Sequence, residues 1–494
     1  MRQLPLEEVI KSSLNRHLDH FPPLIIDRCL SNSQRAVAKY ISSVYASGAR
    51  IPAETITMPR RGYGPRPVRM TTPAARMLYT ALTETIAEAL PPPTRAPGNY
   101  DIHRRFGLED GQNYIVDLDV AACYEYIDHA VLRTELVLRS MDLPACAALT
   151  SYLGEVMAQA RGLPQMFTSS DRLADTYLSI LDRQLSRKGY MSSRYVDDIR
   201  IIAESWEKAN TAVEEVAEYI RALGLTLSPE KTLIYKQATL VDQDREDADF
   251  YNTHFADAKA SMTQIIFVGG LYEDGEPIEG EPEDREAAEA AAWNILFEWQ
   301  SATKHGSSAS EPIAPLTRFI NRGLSTLGRA ARRLPDHLLK DIVFEHPVKT
   351  EQVVRYLTAR TGEPLWDEHL KSIVALAEMG RQSPWAKLWL LHAIEILDSI
   401  SVSRPPELVT WLDRQLDDRH EIVRAETAWV CSTMGLLPAN RVTNLYARAS
   451  PITQPAIAAA VSRQAGTSES TRNGIRDDSP LNREAVKWVE QTTS

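Results

Sequence analysis

The segment Arg194-Tyr-Val-Asp-Asp-Ile-Arg-Ile-Ile202 sets two adjacent aspartates at a turn between two β-rich half-strands. A tight hairpin turn presents a carboxylate at its tip on a rigid support. Alone, an aspartate pair says little, because aspartate is a common turn residue. In-line phosphoryl transfer by two divalent cations, roughly 4 Å apart, needs a further acid from a neighbouring strand. Asp119 in Val116-Asp-Leu-Asp-Val-Ala-Ala-Cys-Tyr-Glu-Tyr-Ile-Asp-His129 meets that need. It ends a short apolar strand, Tyr114 to Val120, and a helical segment follows it.

Composition bears on this reading through charge. The 494 residues carry 55 Lys+Arg against 66 Asp+Glu, a net −11. Taken whole, that opposes a partner made of phosphates. The distribution removes the objection: residues 242–289 hold 3 basic and 15 acidic residues, while residues 1–100 carry a net +6. The acidic stretch, with Gly and Pro between its acids, suggests a solvated connector. A hydrophobic share of 44% with 24% charged residues indicates a globular chain, long enough for two or three domains. No run of about 18 apolar residues is present, so no membrane span is expected, and the N-terminus lacks the form of a signal peptide. Cys29, Cys123, Cys146 and Cys431 form no C-x-x-C pair, which argues against a disulfide framework or zinc site and for a cytoplasmic protein. His17 and His20 sit three apart with no second ligand pair nearby.

Local patterns order the rest. Residues 1–50 look helical and basic, and 51–70 form a hairpin with its turn at Gly62-Tyr-Gly-Pro65. Helices are expected over 72–90, 173–185 and 208–223, with a strand-turn-strand over 193–203. Beyond about 290 the strand signals vanish, and paired helical periods at roughly 35–45 residues suggest a HEAT-like array. The expected domains are an N-terminal helical and fingers region at 1–100, a palm at 101–275, an acidic linker at 276–310, helical repeats at 311–466 and a loose polar tail at 467–494 with one helix at 481–490.

Taken together, the motifs resemble those of reverse transcriptases. The stretch around Asp119 resembles motif A and Tyr195 to Asp198 resembles motif C. Pro59-Arg-Arg-Gly-Tyr-Gly-Pro-Arg-Pro67 resembles the fingers hairpin. Arg161-Gly-Leu-Pro-Gln165, with Ser170 and Leu173 to Leu178, resembles motif B, and Leu223 to Thr232 resembles motif D. Phe267-Val-Gly-Gly270 is similar to the primer-grip hairpin. The resemblance covers about 20–275 and implies an α+β fingers-palm fold followed by an all-α domain.

It also implies roles. Asp119 and Asp197 would hold two magnesium ions, with Asp198 assisting and Val120 lending a carbonyl. Arg60 and Arg66 would bracket the triphosphate of an incoming dNTP, while Arg61 and Arg69 would be solvated or touch nucleic-acid backbone. Tyr124 would lie under the sugar and clash with a ribose 2′-hydroxyl, and Gln165 would contact a base of the template or incoming nucleotide. Lys231 would protonate the pyrophosphate leaving group, or else be an exposed lysine without a chemical part. Asp117 matches no acid of the family and is taken as structural. Met166 departs from the family by replacing a glycine. A palm followed by helical repeats resembles the bacterial abortive-infection and other defence-associated reverse transcriptases. Their properties imply antiphage action, DNA synthesis that is untemplated or protein-primed, homo-oligomers, an RNA or DNA strand as template or product, and a non-coding RNA or phage protein as partner. The alternative is a catalytically weak palm scaffold whose helices bind a phage or host protein. A third reading is an RNA-directed RNA polymerase.

Overall fold

A computed structural model describes residues 4–60, 64–109, 113–242, 253–254, 256–258, 284–304, 313–330, 332–359, 366–398, 404–464 and 466–493. The turn residue Arg61, the Phe267 to Gly270 motif and most of the acidic stretch lie outside them. The chain divides into two compact units. One comprises Met1–Ile56, Pro67–Val241 and Asp418–Ser494, and the other Thr57–Arg66 and Asp242–Asp417.

The first unit is built on a four-stranded antiparallel sheet. Strands β1 (Ala53–Pro59) and β2 (Pro65–Thr71) pair as a separate hairpin. Strands β3 (Tyr114–Asp119), β4 (Met191–Tyr195), β5 (Asp198–Ala203) and β6 (Leu233–Lys236) line up in the order β4-β5-β3-β6. Alternation decides which face is covered. Ile199, Ile201 and Ala203 of β5 are buried and pack with Val116 and Leu118 of β3. Leu173, Tyr177 and Leu181 from the helix Thr168–Arg187 join them, as do Val216 and Ile220 from Trp206–Ala222. The other phase of the alternation carries Asp117 opposite Arg200, and the two form a forked ion pair at 2.6 and 2.8 Å.

Helix starts follow the sequence signals. Thr72 accepts the Ala75 N–H at 3.0 Å ahead of Pro73, and Asp128 and Ser205 cap the helices His129–Ser140 and Trp206–Ala222.

The C-terminal helices belong to this same unit. Glu426 accepts the Ile25 N–H at 2.5 Å, and the Arg28 guanidinium lies 5.7 and 5.8 Å from the ring centroids of Trp429 and Trp488. The unit boundary at 417/418 thus falls inside the stretch 311–466 expected to form one domain. The tail, expected to be loose with one helix at 481–490, holds that helix as Pro480–Thr493 and a further one at Glu469–Asp477. Leu481, Ala485 and Val489, spaced four apart, are buried along one side of Pro480–Thr493. Composition dilutes that stripe among Ser, Thr, Arg and Asp.

Glu54 caps the helix Glu421–Thr433 from a strand far away in sequence. It accepts the N–H groups of Glu421 at 2.9 Å and Ile422 at 3.1 Å, with His420 Nδ1 3.4 Å away. Burial pushes its carboxyl up to about 7 from 4.5, although the two N–H groups pull the other way. The folded chain therefore holds this proton more tightly than the unfolded one. The contribution is fully present below about pH 4.5 and is lost as pH rises through 7. Thermal melting of the Glu54→Gln variant should gain on the wild type between pH 5 and pH 8. An unchanged difference across that range would exclude the assignment.

The second unit is helical beyond its hairpin tip. Asp284–Lys304 packs on Ile313–Arg329, which packs on Thr350–Thr358, which packs on Pro384–Asp398. A second row runs from Asp336–Glu345 to Trp366–Ala377 to Pro406–Gln415. Among the described residues no helix is long and apolar enough to cross a membrane.

Candidate active site

The antiparallel register sets Asp119, the last residue of β3, directly opposite Asp198, the first residue of β5. Asp197 occupies the turn between β4 and β5, and its carbonyl accepts the Val120 N–H at 3.1 Å. Three carboxylates thus come from two adjoining strand ends. The Asp119 carbonyl accepts the Ser228 N–H at 2.8 Å, which brings the short helix Pro229–Lys231 alongside. Lys231 Nζ then reaches Asp119 Oδ1 at 2.7 Å.

The electrostatics express crowding of like charge. Burial, and then the neighbouring Asp119 carboxylate, raises Asp197 above the ordinary carboxylate range. Burial, then Asp197 and Asp119, push Asp198 up to about 7. Burial opposes the charge on Lys231, but its hydrogen bond to Asp119 and the three carboxylates raise it overall. Among the described residues no group of three or more His, Cys, Asp or Glu side chains is placed to hold a metal ion. An open set of two or three hard oxygen donors suits magnesium, which keeps waters and phosphate oxygens as its other ligands. Excess negative charge at the strand ends favours the same partner.

The turn itself is strained and braced. Val196 has φ +57, unusual for a β-branched residue. Its N–H donates to Thr94 Oγ1 at 3.0 Å, and its carbonyl accepts from Arg194 Nη1 at 2.8 Å. Both braces end on Asp175, whose carboxylate accepts from Thr94 N and Oγ1 at 2.8 and 2.7 Å and from Arg194 Nη1 at 2.8 Å. Arg194 also pairs with Asp182 at 2.8 Å. Asp175 and Arg194 stand within the sequence motifs without a part of their own there, and Thr94 stands outside them. A carboxylate within the apolar stripe of a helix was the available signal, because a buried acid needs a cation.

The remaining expected residues fall in three places. Tyr124 lies in the helical turn Cys123–Tyr126 just after the carboxylate strand, and its hydroxyl donates to Asp171 Oδ1. Gln165 is buried and lines a cavity of about 260 Å³ with Arg69, Glu125, Tyr126, Met157 and Arg161, among others. Arg69 is fixed by Thr55 Oγ1 at 2.5 Å and the Met157 carbonyl at 3.0 Å. Arg60 follows β1 and Arg66 lies in β2, both in the hairpin tip that groups with the second unit. Asp117, bound to Arg200, is occupied by the sheet.

Met166 has φ +70, the left-handed region that glycine enters at little cost. The backbone thus keeps a glycine-like path although the side chain is methionine. Met166→Gly should melt no lower than the wild type, whereas Met166→Ile should lose at least about 1 kcal/mol. Equal melting temperatures for the two variants would contradict this.

Residues 59–261 match the family described as reverse transcriptase (RNA-dependent DNA polymerase). Over that segment the chain matches a reverse transcriptase domain, which indicates a nucleotidyltransferase of the RNA-directed DNA polymerase type. Among solved structures it is similar to telomerase from Candida albicans in complex with a TWJ fragment of telomeric RNA, at 11% identity over 77% of this chain and 69% of that one, with a TM-score of 0.29. It is similar to apo telomerase from Candida tropicalis at 10% identity over 77% and 73%, TM-score 0.30. It is also similar to a chain of an RdRp complex at 10% identity over 99% and 48%, TM-score 0.30. Those TM-scores are too low to inform substrate or partner. No curated protein matches the chain.

Proposed function

We propose that the reverse transcriptase domain joins deoxynucleotides by a two-metal mechanism centred on Asp119, Asp197 and Asp198. The observation that carries this is the register of β3 on β5, which sets Asp119 against Asp198 with Asp197 in the adjoining turn. These residues, with the Val120 carbonyl, would hold two magnesium ions. Magnesium, when bound, would activate the attacking hydroxyl and offset charge on the phosphates. The chain's own part is positional. Thr94, Arg194 and Asp175 keep the turn rigid, so that Asp197 and Asp198 need not reorganise during the reaction. Lys231 holds a proton beside Asp119, within reach of a departing pyrophosphate oxygen if it swings from that partner. Arg60 and Arg66 would grip the triphosphate by forked hydrogen bonds. Gln165, in its cavity, would meet a base, and Tyr124 would exclude a ribose 2′-hydroxyl.

The biological setting we propose is bacterial antiphage defence, with synthesis that is untemplated or protein-primed and with a homo-oligomer as the acting form. The two rows of helices between residues 313 and 415 support a helical-repeat reading of that stretch, a surface type suited to a phage protein or a non-coding RNA. The glycine-like backbone at Met166 favours catalysis over the scaffold alternative. Purified protein should incorporate labelled dNTPs in magnesium, lose that activity in chelator and regain it when magnesium returns. Digestion with proteinase should shift the product's gel mobility if priming is from protein. Incorporation that is indifferent to chelation overturns the proposal.

A further inference from the structure

The polar group at the far end of Tyr124 has a partner that the sugar-excluding part assigned to its ring does not explain. The Tyr124 hydroxyl donates to Asp171 Oδ1, and both Asp171 oxygens accept from Arg95 Nη1, at 3.2 and 3.1 Å. Asp171 is largely buried in the first turn of Thr168–Arg187, where a helix N-terminus favours negative charge. Arg95 is half-exposed and follows Thr94, the residue that pins the Val196 turn.

A ring excludes a hydroxyl group only if it cannot yield. Tyr124 can turn about two side-chain bonds, and contact with a bulkier sugar would push it aside unless its outer end is fixed. A charge-assisted hydrogen bond at that end resists the push, and it is stronger than a bond between neutral partners. Asp171 must be ionised to supply it. Burial raises its pKa overall, the Asp175 carboxylate adds to the rise, and the Arg95 charge and the Tyr124 hydrogen bond work against it.

We infer that Asp171, held in place by Arg95, is the positioning residue that anchors Tyr124 and so sets the preference for deoxynucleotides over ribonucleotides. The loop Thr94–Arg95 then serves two ends at once, holding the carboxylate turn through Thr94 and the sugar-excluding ring through Arg95. The inference rests on Tyr124 acting as the sugar filter.

The test is the ratio of kcat/KM for dNTP over rNTP in the full-length protein, for the wild type, Asp171→Ala, Asp171→Asn, Tyr124→Phe, the Asp171→Ala/Tyr124→Phe double variant and Tyr124→Ala. Asp171→Ala and Tyr124→Phe each remove one side of a single bond. Each should lower the ratio about tenfold, the worth of one charge-assisted hydrogen bond, and the double variant should fall no further. Asp171→Asn keeps an acceptor oxygen without its charge and should recover part of the ratio. Tyr124→Ala should abolish the preference. A ratio that survives Asp171→Ala but collapses with Tyr124→Ala overturns the anchor while leaving the sugar filter intact. A ratio that survives Tyr124→Ala removes the filter and the anchor together. Additive losses in the double variant would also overturn the anchor, since they would mean that the two groups act separately.

Discussion

Replacing Asp197 by asparagine should reduce nucleotide incorporation at least about a thousandfold while leaving the fold as stable as before or more so. The two halves of this result have one cause. Asp197, Asp198 and Asp119 are held together by a strand register and a braced turn, and burial, together with their mutual repulsion, raises Asp197 and Asp198 above their ordinary range. In chelator, removing one charge relieves repulsion inside a partly buried site, so the melting temperature should hold or rise. In magnesium the same charge is what the reaction uses. A residue that served the fold alone would show the reverse pattern, a lower melting temperature with activity lost only in proportion. Incorporation and melting, measured on one preparation, separate the two cases.

Asp175→Ala should be the most damaging substitution away from the carboxylates. Asp175 is 1% exposed and Arg194 6%, so the variant leaves a guanidinium in the interior with only Asp182 to answer it. Losing one partner of a buried pair costs about 3–5 kcal/mol. Thr94 would lose the acceptor of both its N–H and its hydroxyl, so the oxygen that accepts the Val196 N–H would no longer be held in place. Denaturant unfolding should show the loss directly. In addition, incorporation should fall even at temperatures where the variant remains folded, because the turn no longer holds Asp197 in place. Asp175→Asn keeps an acceptor for Thr94 and should do less harm on both counts. Unfolding and incorporation matching the wild type would mean that the turn holds itself.

The centre was legible in sequence because its parts are local. The strand carrying Asp119 and the hairpin carrying Asp197 and Asp198 each announce themselves by alternation, and their pairing is the simplest antiparallel arrangement. Lys231 was legible only through the resemblance, since nothing in its own spacing says that it reaches Asp119. Thr94, Arg95, Asp171 and Asp175 were not assigned, because their partners lie 19 to 102 residues away and the contacts arise only after packing. Glu54 capping a helix 367 residues later is a longer-range case of the same kind. The same reason explains why the sequence leaves open what the helices after residue 417 pack against. A helical period shows that a face must be buried but not against what, and Glu426 and Trp429 meet the N-terminal helices rather than the preceding ones. Met166 illustrates a different limit: residue type shows that a glycine is replaced, but not that the backbone keeps the left-handed path.

The most direct measurement is incorporation of labelled dNTPs in magnesium by the wild type and by the Asp197→Ala/Asp198→Ala variant, purified alike and shown by melting to be folded. Incorporation by the wild type with none by the variant is the expected result. Equal incorporation by both would contradict the assignment of nucleotidyl transfer to the ends of β3 and β5.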